Sequence, residues 1–518
     1  MRWSALLLGS ALFLFLVYKL LRFDALGYSF NDMYAFVQMS RSWMDGRPFM
    51  YDNIWGYHHR IHNYYTMLLW GPLCYYFGAK GLFLAQVALL LLAYWLTDRQ
   101  LVRASLDSSL RFLLLIVVLF GPVSFWLNDH PNIGWHTELT YLPAALFWAV
   151  GLGGARNLRQ GVGSIGLILA GLFLVLVKED GAVLALLLHA SAVALNGFRD
   201  RPARSVVGHL AGLLSQKRFW VVVVLWSVVF VAGMAWIAAK NNFAEPRLRN
   251  ALHLMGTYAG EWAFWRQMGS LLIKSLMLLV PVAGVLFLLI RPLQAAVRQV
   301  VLLIWTVGVV VLTVLNGVQS AHYIDQSLFY LVAFTWPPRF VLVWGFSAGF
   351  LVLVCLTFAE QLRSVPARSM RLSVAGLWLI QLPLLWLARP DLPGPRELKA
   401  ALIGPPGARM NRTFLDPADL SVIRAVARNL PPRSNVFAFD YVVPYFHKHY
   451  GIWPTGNHWQ PADVAIMAHP DFQNLRPWLR TIMPGRIDSV QLKAYRIYYT
   501  PAFRKFVQPV SQPRPTPP

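Results

Sequence analysis

Cysteine is nearly absent from this chain of 518 residues: Cys74 and Cys355 are the two present, each in or beside an apolar segment. Such a pair suggests neither a disulfide framework nor a metal cluster. Charge is scarce too, at 13% of residues, and acids most of all, with 23 Asp and Glu against 46 Lys and Arg. A chain so poor in charge and 57% hydrophobic is not a soluble globular protein. No P-loop, dinucleotide-binding glycine loop, nucleophile-elbow serine or metalloprotease H-E-x-x-H survives inspection, so nucleotide-driven transport and common hydrolase chemistry lack support. The net charge of +23 does not point to nucleic acid, because the basic residues are spread over loops rather than gathered on one soluble face. Lipid headgroups of the bilayer, and a phosphate-bearing substrate, are the partners this balance favours.

What the chain holds instead is a series of apolar runs near the length that crosses a bilayer as a helix, roughly 17 to 25 residues. About eleven spans are expected on that length, at approximately 4–22, 79–96, 111–127, 138–152, 162–177, 181–195, 219–239, 270–290, 299–316, 339–358 and 371–387. No A-x-A-like cleavage site follows the first, and Lys19 and Arg22 flank its far end, so it reads as an uncleaved first span. Tyr64–Phe77 contains Gly71-Pro72 and reads as a helix lying in the interface. With the N-terminus inside, the inner loops collect Arg99, Arg103, Arg111, Arg156, Arg159 and the Arg199–Arg218 group, while 128–137 and 317–338 carry no Lys or Arg. Residues 240–268 dissent, with Lys240, Arg247, Arg249 and Arg266. In this topology every acid-rich or histidine-rich loop lands on the outer face. One catalytic or binding surface accounts for that.

Three units follow. Residues 1–387 form a multi-span core, 388–505 a small α/β domain outside the membrane, and 506–518 a Pro-rich disordered tail. Within the second unit, DPADLSVIRAVARNL reads as an amphipathic helix, NVFAFDYVVPYF as a strand, and ADVAIMAH as a second short apolar run.

The chemistry concentrates in Phe23–Thr66, which holds Asp24, Asp32, Asp45 and Asp52, then His58, His59 and His62. Asp32, about ten residues beyond the first span, is placed to act as a general base or to orient an acceptor, and equally to cap the helix of NDMYAFVQMSRSWM. A second cluster runs from Asn128-Asp129-His130 to Trp135-His136-Thr137-Glu138. It offers a second acid, which assists Asp32 or binds a divalent cation with it, against a bland reading as a solvated turn. Its spacing matches no tight metal motif. Lys178-Glu179-Asp180 interrupts two apolar runs; Lys178 pairs internally or stabilises a phosphate leaving group. His58 and His62 fall one helical turn apart without an accompanying Glu, so they read as interfacial or substrate-orienting groups rather than zinc ligands. Arg247, Arg249, Glu261 and Arg266 in one outer loop meet headgroups or clamp a polyprenyl phosphate, and His322 with Asp325 are weaker candidates still.

These blocks resemble a bacterial family of predicted membrane proteins of unknown function. That family shows a block ending in G-R-P-F, an H-F-S-P-like block, an F-H-P-E-like block and a K-E-D block. Asn31-Asp32 and Gln38 match the first, His62 the second, Trp135-His136-Thr137-Glu138 the third with two substitutions, and Lys178-Glu179-Asp180 the last in full. The second block departs from the pattern, reading His62-Asn63-Tyr64-Tyr65. The family is in turn similar to the GT-C glycosyltransferases, multi-span enzymes that take sugar from a polyprenyl-phosphate donor. The resemblance implies a GT-C-like helical core in the bacterial inner membrane with its C-terminal domain periplasmic. Asp32 is then the catalytic acid, with Asp129 or Glu138 as its partner. Gln38, His62, His136, Lys178, Glu179, Asp180 and Arg249 are then the substrate-binding candidates. It implies a lipid-linked sugar donor, a glycan, lipid or protein acceptor, and no certain cofactor, a divalent cation being possible. Two other readings compete. A transporter or flippase of lipid-linked glycans needs polar groups near the bilayer midplane, where these spans carry almost none. A membrane sensor leaves the acids of 23–66 unexplained.

Overall fold

The computed structural model describes residues 2–24, 28, 31–53, 56–60, 62–129, 134–154, 161–200, 205–241, 253, 256–320, 337–363, 373, 375–388, 416–439, 442–446, 449–452, 461–468 and 479–511. Most of them are helical. Among the described residues, seven helices are long and apolar enough to cross a membrane: Leu6–Asp24, Ala79–Arg103, Gly181–Asp200, Lys217–Lys240, Leu272–Ile290, Ala295–Gly317 and Phe340–Thr357. Apolar runs of this length become helices because a bilayer offers the backbone no other hydrogen-bond partner. Shorter apolar helices at Leu115–Asn128, Ile165–Val177 and Ala375–Leu385, with Tyr141–Gly154, occupy the remaining expected spans.

In chain order the helices that matter to the site are α1 (Arg2–Asp24), α2 (Asn31–Arg41), α3 (Met67–Phe77), α4 (Ala79–Arg103), α5 (Ser108–Leu114), α6 (Pro122–Asn128), α7 (Tyr141–Gly154), α8 (Gly161–Val177), α9 (Gly181–Asp200) and α10 (Val206–Leu214). They continue as α11 (Lys217–Lys240), α12 (Trp262–Ile290), α13 (Ala295–Ser320), α14 (Pro337–Thr357) and α15 (Gln381–Ala388). The span Phe340–Thr357 is buried along its whole length and packs on α7, α9, α12 and α13. Gly345-Phe346-Ser347-Ala348-Gly349 has the letters of a nucleophile elbow but lies inside this helix. There Gly345 lets the α7 carbonyl of Tyr141 approach, and Ser347 Oγ accepts from Trp305 Nε1 at 3.2 Å. It is a packing seam.

The expected span 111–127 is not one continuous helix. A π-helical turn at Leu115–Leu119 is followed by a break, and α6 restarts with Pro122 at its first turn, where a missing N–H costs nothing. Side chains repair the interrupted ladder. Gln381 donates to Val117 O at 3.0 Å and accepts from Val123 N–H at 3.2 Å, while Trp344 and Tyr94 donate to Val118 O and Leu119 O. The segment read as an interfacial helix forms α3, which packs on α2 and α4 and is too short to be a span.

Toward the C-terminus the pattern becomes α/β. Asp416 caps α16 (Pro417–Asn429) by accepting from Ala418 N–H at 2.9 Å, and Leu420, Ile423 and Val426 form its buried face. A five-stranded sheet follows, in the order β4-β3-β5-β7-β6: β3 (Asn435–Ala438), β4 (Tyr450–Ile452), β5 (Val464–Ala468), β6 (Asp488–Gln491) and β7 (Tyr495–Tyr499). A two-residue pair, β1 (Tyr51–Asp52) with β2 (Gly56–Tyr57), precedes His58 near the N-terminus. β3 runs parallel to β4 and β5, and β7 antiparallel to β5 and β6. The strand expected over NVFAFDYVVPYF is shorter, β3 ending at Ala438 and Val443–Phe446 forming a 3₁₀ turn, and the apolar run ADVAIMAH contains β5. The expected tail is corrected at its start, because α17 (Arg504–Ser511) runs through residues 506–511, anchored by the fully buried Val507. Residues 512–518 lie outside those described.

Candidate active site

Four segments distant in sequence meet at one end of the bundle. Thr66 N–H donates to Leu176 O at 3.0 Å, tying the 62–66 loop to the end of α8. Asn63 Nδ2 donates to Gly233 O, Lys240 Nζ to Asn63 Oδ1 and Tyr65 Oη, and Asn241 Nδ2 to Arg60 O. These bonds fix the end of α11 against the same loop. The α8–α9 turn, Lys178-Glu179-Asp180, lies between them.

Two pairs join these segments. Nδ1 of His62 stands 2.7 Å from Glu179 Oε1, and Glu179 Oε2 accepts from Asn63 N–H at 3.3 Å. Lys178 Nζ donates to Glu138 Oε1 at 2.6 Å, with Asp180 Oδ2 at 3.5 Å. Lys178, Glu138 and Asp180 are all buried. His136 precedes a 3₁₀ turn (Thr137–Thr140) and accepts from Glu138 N–H through Nδ1 at 3.3 Å, which fixes where Glu138 points. An aromatic wall backs the cluster. Phe36 of α2 meets His136, Trp135, Tyr64 and His58, with centroids 4.8 to 6.0 Å away, and Tyr64 lies 4.7 Å from His62. His58 pairs with Asp52 at 3.2 Å. Gln38 accepts from Asn53 N–H at 2.8 Å, so its described role is to hold the hairpin that carries Asp52.

The sequence candidates therefore divide. Glu138, His136, Lys178, Glu179, Asp180 and His62 come together. Lys178 pairs across loops with Glu138 more closely than with its neighbour Asp180, and Glu179 turns to His62 instead. Two carboxylates already hold the Lys178 charge, so a phosphate arriving there would have to compete with them; the lysine serves as their counter-ion. Asp32 lies in the first turn of α2, and its side chain is outside the described residues, as is the whole of Arg249. His59, His130, Arg247, His322 and Asp325 also fall outside the described side chains.

Asp129 belongs to a different cluster. Its Oδ1 accepts from Tyr28 Oη at 2.6 Å, its Oδ2 from Arg22 Nη1 at 2.8 Å and Tyr18 Oη at 3.1 Å, and Lys19 Nζ is 3.7 Å away. Burial first, and then the Asp129 charge, pushes the Tyr28 hydroxyl well above its ordinary range, so it stays a donor. Two cations and two hydroxyls thus surround this one carboxylate. These contacts tie the end of α6 to α1, apart from the Glu138 cluster. Lys19, read from sequence as a flanking charge, is fully buried. It donates to Gln86 Oε1, Asn128 O and Gly134 O at 2.7 to 3.0 Å. Its signal was there: a lysine inside an apolar run. Among the described residues no group of three or more His, Cys, Asp or Glu is arranged to hold a metal ion.

No family model and no curated protein matches the chain. Among solved structures, it is similar to ArnT from Cupriavidus metallidurans bound to undecaprenyl phosphate, at a TM-score of 0.45 and 14% identity over 97% of this chain and 99% of that one. The same protein in the apo state gives a TM-score of 0.41 and 13% identity over 97% and 98%. Likeness at this level carries no statement about the reaction, which has to stand on the residues themselves.

Proposed function

We propose that this chain is a membrane glycosyltransferase that moves a sugar from a polyprenyl-phosphate donor to an acceptor on the periplasmic face of the bacterial inner membrane. One observation carries the reading: Glu138, Glu179 and Asp180, with Lys178, His62 and His136, converge from three loops at the end of a membrane bundle. Buried acids in that number are costly in a membrane protein and mark a functional site by default. Carboxylates and imidazoles suit hydroxyl groups, the groups a sugar and its acceptor present, and are the usual proton acceptors of group transfer. The blocks resemble a family that is in turn similar to the GT-C enzymes, which supports this reaction class, with Asp32 activating or orienting the acceptor. Lys178 stands as the counter-charge to Glu138 and Asp180. The division between the membrane core and the soluble unit at 387 belongs to the same proposal.

Release of polyprenyl phosphate from a panel of polyprenyl-phosphate sugars, with mixed acceptors, tests it on purified wild type and Asp32→Asn. Turnover by the wild type that vanishes in a folded mutant is the expected result. No consumption of any donor, or a mutant as active as its parent, sinks the reading and moves lipid-glycan transport to the front.

A further inference from the structure

We infer that His62, held by Glu179, is the group that takes the proton from the acceptor hydroxyl; the inference rests on the transferase reading above. Its basis is the 2.7 Å contact between His62 Nδ1 and Glu179 Oε1, which decides the nitrogen that must bear hydrogen. A carboxylate can only accept, so the 2.7 Å contact with Glu179 makes Nδ1 of His62 the N–H and Nε2 the basic nitrogen of the neutral ring. His136 is the opposite, because its Nδ1 accepts a backbone N–H and its Nε2 is the donor. His58 shows the arrangement of His62 toward Asp52, but at 3.2 Å and within one short hairpin. Glu179 instead reaches His62 from a loop 117 residues away, beside the Lys178–Glu138 pair. Its second oxygen accepts from Asn63 N–H, so the carboxylate is fixed on both sides.

A carboxylate behind an imidazole sets the direction of the ring and stabilises the imidazolium that forms when Nε2 is protonated. The surroundings add to this. Glu179, Lys178 and Asp180 come from the α8–α9 turn, and Glu138 and His136 from the segment before α7. Tyr64, His58, Asp52 and Arg60 come from the loop of His62 itself, and Lys240 from the end of α11. Acids outnumber cations among them, which favours a positive ring. In the step, the acceptor O–H proton passes to Nε2 and the acceptor oxygen bonds to the anomeric carbon. The bond from that carbon to the phosphate oxygen breaks, and its electron pair leaves with polyprenyl phosphate. Water then takes the proton from the imidazolium. Asp32 is left to orient the acceptor.

The test is the pH profile of polyprenyl phosphate release by full-length wild type, His62→Gln, His62→Ala and Glu179→Gln. The wild type shows an acid limb, with turnover lost as the pH falls and the base is protonated. His62→Gln loses the limb and at least about 100-fold in turnover, and added imidazole restores part of the rate to His62→Ala. Glu179→Gln keeps the limb but moves it about one unit to lower pH, since the imidazolium has lost its counter-charge. A His62→Gln protein that melts like its parent and keeps the parent's profile overturns the inference. So does a limb unmoved in Glu179→Gln, or imidazole that restores nothing. A wild type that releases no polyprenyl phosphate overturns the transferase reading, and this inference with it.

Discussion

Two acid-centred clusters flank the segment 128–138, and they are built to opposite rules. Around Asp129 a single carboxylate meets Lys19, Arg22, Tyr18 and Tyr28, so donors outnumber acceptors. Around Lys178 a single cation meets Glu138 and Asp180, with Glu179 turned aside to His62. Both are buried, and burial makes each imbalance matter. A carboxylate with a surplus of donors is locked and serves to hold helices together. The carboxylates gathered around Lys178 are where the proposed function places the chemistry.

The sharpest way to break this contrast is Asp129→Asn. Removing one partner of a buried ion pair strands the others, so thermal unfolding in detergent should register a loss of about 3–5 kcal/mol, while turnover per folded molecule stays near that of the parent. Equal loss of turnover would make Asp129 catalytic after all. Glu138→Gln should do the reverse. Asp180 still faces Lys178, so unfolding changes less, but turnover falls by about 100-fold, or about 2.7 kcal/mol of barrier. Gly134→Ala probes the joint between the clusters. Gly134 has φ +78°, its carbonyl accepts from Lys19, and a Cβ there would stand 2.9 Å from the Tyr28 ring. The left-handed backbone alone costs about 1–2 kcal/mol in a melting experiment, and displacement of Tyr28 adds to it.

The exposed pair Lys493–Asp416, at 2.7 Å, shows what the same charges do in water. The Lys493 hydrogen bond holds the Asp416 carboxyl below its ordinary 3.8, and Asp416 holds the Lys493 ammonium above 10.5. The stability from Asp416 is present above its ordinary value and lost as pH falls through the lowered one. That from Lys493 is present below 10.5 and lost as pH rises through the raised one. Asp416→Asn should therefore change the unfolding midpoint at pH 7 barely at all, and less in high salt. A drop comparable to that of Asp129→Asn would show that burial is not what separates the two clusters.

Much of this was legible beforehand, and for a physical reason. Span length follows from bilayer thickness, so the seven long helices stood out as apolar runs, and α16 stood out by its cap and its 3–4 spacing. Of the loops expected on one face (23–66, 128–138, 178–180, 240–268 and 317–338), parts of the first three meet in the cluster, since loops alternate between faces as spans alternate in direction. Which acid pairs with which base was not legible. That Lys178 reaches Glu138, and Glu179 reaches His62, depends on how α7, α8 and α9 turn about their axes, and no local spacing encodes it. The same holds for Gln381, whose amide mends a break in another helix 258 residues earlier.

Lys19 carries a consequence for how the molecule is made. Its carboxylate partner lies 110 residues further along the chain, and at about 5–20 residues per second the ribosome needs roughly 5–20 s to supply it. Until then Lys19 lacks its carboxylate, with Gln86 of α4 the one acceptor among its described partners already made, and a lysine near a helix end can also stretch toward the headgroups. When α6 and the loop after it arrive, the ammonium can turn inward to Asn128 O, Gly134 O and Asp129. The first helix can dock on α4 earlier, through Gln86, but its ammonium gains its full set of acceptors only after the sixth helix has been made.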